Sequence, residues 1–192
     1  MFQTMILPLW GLVDQIYYQF NRLQLIDIED QNVFRVRLST YRGAPLVLDS
    51  GDVIRSGDLL LKIHLYNYQL MKQMCHLESD IRRALYVYEA VEHSLPGLAR
   101  YLSEHPRSNE IKAVLGVTVL NRGIKRLGFQ SFELDNSLYR AWKKAYMIPM
   151  YCLCHGQWSL PSLQKLEPKF VVMGRTQLLQ RFLNNLETNS TK

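Results

Sequence analysis

Cysteine is scarce here: Cys75, Cys152 and Cys154 are the only three in 192 residues. An odd count with no paired spacing excludes a disulfide-stapled scaffold and fits a reducing compartment. Long hydrophobic runs are missing as well. The opening MFQTMILPLWGLV is apolar, but Asp14 cuts it short, and it has no basic leader and no small-residue cleavage motif. It is too brief to span a bilayer and does not resemble a signal peptide, so a cytoplasmic protein is expected. No P-loop, GxGxxG, GxSxG elbow or HExxH occurs, and there is no internal repeat or low-complexity tract. None of the chemistries those motifs carry is therefore signalled.

Acidic charge is thin in one half of the chain. Residues 107–181 hold twelve Lys or Arg against Glu110, Glu133, Asp135 and Glu167. Residues 1–32 show the reverse, with Arg22 alone against Asp14, Asp27, Glu29 and Asp30. The net charge of +6 is thus concentrated, as a phosphate-rich partner or an anionic membrane surface would favour, and as a solvated basic surface would also show. No nucleic-acid module signature accompanies it, so specific nucleic-acid binding is not expected.

What is present is globular: 47% hydrophobic and 21% charged residues, enough for one domain with a proper core. Trp10, Val13, Tyr17 and Phe20 recur at helical spacing, predicting an amphipathic helix over about 9–25. Val33–Tyr41 alternates strictly, which places Arg35 and Arg37 together on one face, expected to be half exposed. Short strands at Leu46–Leu48 and Leu59–Leu65, separated by the Gly51-Asp52 and Gly57-Asp58 turns, complete an expected antiparallel meander. Helices are predicted over Tyr68–Cys75, over about Leu77–Glu92 with a restart at Ser94-Leu95-Pro96, over Leu138 to about Met147, and over Gln177–Leu186 behind a Thr176 cap. Strands are predicted at Ile111–Leu120, Phe129–Leu134 and Lys169–Met173. The fold class is α+β: a small, mostly antiparallel sheet with helices packed on one face, in a single domain whose core spans about 33–186.

The polar trio His64, Tyr66 and Asn67, at the end of the central strand, is the candidate site. Imidazole and carboxamide together can bind a polyol, position a water or orient an acyl group. As a ligand site the trio is joined by Arg35 and Arg37. As a catalytic site it would use His64 as general base, with Asn67 or Asp58 orienting it, although Asp58 lies about 20 Å away along an unbent strand. The alternative is a structural histidine, with Asn67 capping the next helix. Cys152-Leu153-Cys154-His155 has no second cluster at zinc spacing, so no metal site and no cofactor are expected.

Several motifs carry a resemblance. They are Phe34-Arg35-Val36-Arg37, Gly57-Asp58, His64-Leu65-Tyr66-Asn67, Gly116, Arg126-Leu127-Gly128-Phe129 and Val172-Met173 with Leu178 and Arg181-Phe182. Over roughly Val33 to Phe182 the chain resembles the YkoP-like family of bacterial proteins. Related domains look to be fused behind polysaccharide deacetylase catalytic domains, whose Asp and His metal motifs are absent here. The resemblance implies an accessory or binding role in cell-envelope polysaccharide metabolism, towards a glycan, a lipid-linked sugar or an envelope-polysaccharide enzyme. The alternatives are a small hydrolase or acyltransferase and a protein peripheral to the inner face of the membrane.

Overall fold

The computed structural model describes residues 11, 23–26, 32–74, 76–77, 79–119, 123–155 and 167–183, with residues 25, 80, 146 and 148–155 described by backbone alone. Strands β1 (Gln24–Leu25), β2 (Phe34–Thr40), β5 (Leu59–Leu65), β6 (Ile111–Thr118), β7 (Gln130–Glu133) and β8 (Lys169–Gly174) form one sheet in the order β1-β2-β5-β6-β8-β7. Every neighbouring pair is antiparallel except β5 and β6. A parallel pair needs a long crossover, and helices α1 (Asn67–Met74) and α2 (Asp80–Glu104) supply it. The expected α+β class and mostly antiparallel sheet are what the molecule has.

The sheet buries its first face under α2 and α4 (Arg175–Phe182). Phe34, Val36, Leu61, Ile63, Val114, Val171 and Met173 meet Leu95, Leu98, Ala99 and Leu102 of α2 and Leu178 of α4. Gly116 lies in the middle of this face, where an added Cβ would come within 3.1 Å of both Ile63 and Val171. The second face is shared. A two-stranded ribbon, β3 (Leu46–Val47) with β4 (Val53–Ile54), folds over Leu60, Ala113, Leu115 and Val172. Helix α3 (Ser137–His155) lies against the rest of it, stacking Tyr139 on Phe170 with ring centroids 6.5 Å apart.

Several expectations are corrected. The meander is not one sheet: β2 pairs directly with β5, and β3 and β4 leave as a separate ribbon. Helices cover both faces, not one. Helix α2 does not stop before Ser94 but runs 25 residues through Pro96, and α3 continues past Pro149 to His155. In both helices the residue four before the proline, Glu92 or Ala145, is exposed, so water can take the carbonyl that loses its donor. The stripe Leu77, Ile81, Ala84, Leu85, Tyr88 and Val91, which helical spacing predicts as the packed face of α2, packs at Tyr88 and Val91 but not at Ile81, Ala84 and Leu85. Ile81 is 80% and Leu85 53% exposed, while Tyr86, Val87, Ala90 and Val91 pack on Leu70, Met71 and Met74. Helix α4 begins at Arg175 behind Gly174 rather than at Gln177 behind a Thr176 cap. The predicted helix over 9–25 falls mostly outside the described residues. Gly11 is helical, but Gln24 and Leu25 are a strand on β2.

A buried polar joint fixes β2 against α2. The Asn32 side chain donates to the Ser94 carbonyl at 3.0 Å and accepts from the Phe34 N–H at 2.9 Å, while Val33 N–H donates to Ser94 Oγ at 3.0 Å. Gly97 leaves room for it, since a Cβ there would stand 2.6 Å from Asn32 Nδ2. This joint sets where β2 begins, and therefore which of its residues face each side.

Candidate functional site

The register of β2 on β5 determines the site. Arg35 lies directly opposite His64, and Arg37 directly opposite Lys62, so all four project to the second face. Lys62 neighbours Leu115 on β6, and Val117 neighbours Phe170 on β8. Onto this surface α3 presents Tyr139, Lys143 and Met147, one turn apart. Asn136 fixes where that helix starts, its side-chain oxygen accepting from the Tyr139 N–H at 2.9 Å. Lys143 is buried, with its ammonium 4.9 Å from the Trp142 ring centroid and 5.6 Å from that of Tyr139.

Tyr66 closes one end. Its N–H donates to the Val33 carbonyl at 2.7 Å, which holds it beside β2, and the Arg35 guanidinium sits 3.7 Å from its ring centroid. Stacking on an aromatic face is a way to keep a buried guanidinium in place. Arg35 is 5% exposed while Arg37 is half-buried, so the expected half-exposed arginine face holds at Arg37 and fails at Arg35. Alternation shows which side chains share a face, but not which face the rest of the chain covers.

The electrostatics follow from this crowding. Burial, then the charges of Lys143 and Arg37, push the Lys62 ammonium down to about 8. Burial followed by Lys62, Lys143, Arg37 and Arg35 pushes His64 down to about 3, so its imidazole is neutral at physiological pH. Lys143 is lowered by burial and by Arg37. Among the described residues, the ion pairs engage other side chains, Arg107 with Glu110, Lys144 with Glu167 and Lys169 with Glu133. No acid is paired with Arg37, Lys62 or Lys143, and Arg37 Nε is buried with no hydrogen-bond partner among the described residues. Buried donors normally find acceptors, and buried charges normally find counter-charges. A ligand that brought acceptor oxygens and negative charge would supply both.

The structure thus brings Arg35, Arg37, His64 and Tyr66 together, with Asn67 following Tyr66 at the first position of α1. It leaves Asp58 apart. Asp58 precedes β5 at its far end, where Oδ2 accepts from the Arg55 N–H at 2.7 Å in the β4–β5 turn. Asp58 is therefore not the group that orients His64. Lys62 and Lys143 were not foreseen as site residues. Lys62 lies two residues before His64 and so shares its face, which was a usable signal. Lys143 gave a fainter one, a lysine between Tyr139 and Met147 on an otherwise aromatic and apolar stripe.

A concavity of about 640 Å³ lies elsewhere, between the β3–β4 ribbon and α4, lined by Asp49, Asp52, Lys125, Gln130, Gln177 and Arg181 among others. Its lining carries both signs of charge. Of the cysteine run, Cys152 to His155 ends α3, and its side chains lie outside the described ones, as does Cys75. Among the described residues no group of three or more His, Cys, Asp or Glu side chains could hold a metal.

Comparison with known proteins bears out the resemblance read from the sequence. The family model described as YkoP domain matches residues 3–182. The chain is 38% identical over 175 residues to a protein described as "Uncharacterized protein YkoP" from Bacillus subtilis (strain 168), covering 91% of this chain and 96% of that one. No solved structure matches it. The chain belongs to the YkoP domain family.

Proposed function

We propose that this YkoP-domain protein is a binding module for a small phosphate-bearing ligand, a sugar phosphate or lipid-linked sugar of cell-envelope polysaccharide metabolism, acting on the cytoplasmic side. One observation carries the reading: Arg37, Lys62 and Lys143 gather on one sheet face with no paired acid among the described residues. Like charges held together cost stability, and a bound anion offsets that cost. Phosphate suits the groups present, because a guanidinium accepts it in a fork and ammonium groups meet it as point charges. Tyr66, Tyr139 and Phe170 border the cluster and offer flat apolar surface to a sugar ring or a lipid stem. Arg37, Lys62, His64 and Tyr66 are half-buried, so each retains a route to solvent.

The test is a thermal-shift and calorimetric comparison of inorganic phosphate, pyrophosphate, sugar phosphates and neutral chito-oligosaccharides. A ligand at a hundred times its dissociation constant stabilises by about 2.7 kcal/mol, several degrees for a domain of this size. The expected result is a shift with phosphate-bearing compounds, none with neutral sugars, and its loss in Lys62→Gln. Silence across every anion would sink the proposal.

A further inference from the structure

Among its described side chains, helix α3 has apolar groups on both sides, and only one side is covered. Tyr139, Lys143 and Met147 turn toward the sheet, whereas Leu138, Ala141, Trp142 and Ala145 are exposed. Those four follow the i, i+3, i+4, i+7 spacing of a continuous stripe. Leu138 is 82% exposed and Trp142 58%, two of the most exposed large apolar side chains among the described residues. A solvated helix face would be polar here.

We propose that the outer face of α3 seats on an anionic bilayer surface. The charge pattern selects this occupant. Between Ser137 and His155 the helix contains no Asp or Glu, and since Lys143 faces the sheet, Arg140 and Lys144 are the cations beside the outer stripe. Basic residues flanking a Leu- and Trp-bearing stripe mark helices that lie in the interface plane, with tryptophan at headgroup depth. Lys144 reaches Glu167 at 2.7 Å, which leaves Arg140 as the flanking cation with no acid paired to it among the described residues. The helix lies on the surface and does not span it, because no described helix is long and apolar enough to cross a membrane. A second copy of the chain fits less well, since a two-fold contact through this face would oppose basic residues of both copies. The exposed stripe of α2, around Ile81 and Leu85, is set among both signs, with Arg82 against Glu89 and Glu92, and gives no such selection.

The docking rests on the outer side of α3 and does not depend on the basic sheet face beneath it. Flotation of the full chain with vesicles tests it. Phosphatidylcholine vesicles containing phosphatidylglycerol should carry the protein up at low salt, whereas pure phosphatidylcholine vesicles should not, and high salt should weaken the association. The pair Leu138→Ser and Trp142→Ser should lower partitioning about tenfold. Trp142 also stacks on Tyr139 and lies 4.9 Å from the Lys143 ammonium, so the single variant Leu138→Ser, at an 82% exposed side chain, is the one whose melting temperature should hold while its partitioning falls. Arg140→Glu, which leaves the apolar stripe intact, should also lower it. No flotation with anionic vesicles at low salt would overturn the proposal. So would a folded double variant that floats like the parent, or a dimer in solution that the double variant abolishes.

Discussion

Arg37 and Lys62 stand directly opposite each other across β2 and β5, on the same side of the sheet and under α3. Cross-strand partners in this register have Cβ atoms about 4.5–5.5 Å apart, and like charges there are destabilising. The protein therefore carries a repulsion between these two strands that a core designed only for stability would lack.

Replacing Lys62 with methionine should stabilise the ligand-free protein, by about 1–3 kcal/mol, because it removes a half-buried charge and keeps the apolar stem. The same substitution should abolish stabilisation by phosphate. Urea titrations with and without phosphate check both. A Lys62→Met protein less stable than the parent would show that the ammonium has a favourable partner.

The pH dependence has a definite sign. Lys62 titrates near 8 when folded against an ordinary 10.5, so between those values the unfolded chain binds the extra proton. Stability from this group must then rise with pH across about 8 to 10.5. His64, near 3 when folded against 6.5, acts likewise on the acid side, and stability falls as the pH drops below 6.5 toward 3. Unfolding free energies measured against pH should show a shallower acid-side slope in His64→Gln. An unchanged slope would mean that His64 is protonated as readily folded as unfolded.

Gly97→Ala tests the joint between β2 and α2. Alanine favours a helix interior over glycine by about 1 kcal/mol. Here its Cβ would meet Asn32 Nδ2 at 2.6 Å and displace a side chain held by two buried hydrogen bonds, at a cost of about 1–3 kcal/mol. The clash should win, giving a net loss. Combining it with Asn32→Ala should cost less than the two single losses added, and strict additivity would place the damage elsewhere.

Tyr66→Leu should free Arg35 from the ring 3.7 Å away and cost about 1–2 kcal/mol, more than the lost apolar area alone. Tyr66→Phe retains the π face and should be close to neutral. Equal losses in the two variants would assign the effect to the hydroxyl.

Much of the scaffold was legible because it is local. The alternation of Val33–Tyr41, the apolar run Leu59–Leu65 and the β-branched Ile111–Thr118 gave their strands directly. Gly51 and Gly57, both with positive φ, gave the turns between them. The prolines misled, because Pro96 and Pro149 read as helix boundaries until the exposure of Glu92 and Ala145 is known. The α2 stripe misled as well: Ile81 and Leu85 have helical spacing, but the elements that reach α2 cover its neighbouring face.

By itself, then, the sequence determined most of the element types, though not β1 or β4, together with the α+β class and the sharing of one face by Arg35 and Arg37, because backbone period and turn chemistry act over a few residues. It also singled out His64, Tyr66 and Asn67 at the end of a central strand. Tertiary structure alone decided that Arg35 is buried on this face, that Lys62 and Lys143 complete it and that Asp58 is excluded from it. Burial and mutual repulsion depend on groups far apart in the chain. Lys143 meets Arg37 only because α3 folds back over the sheet, across more than a hundred residues of sequence.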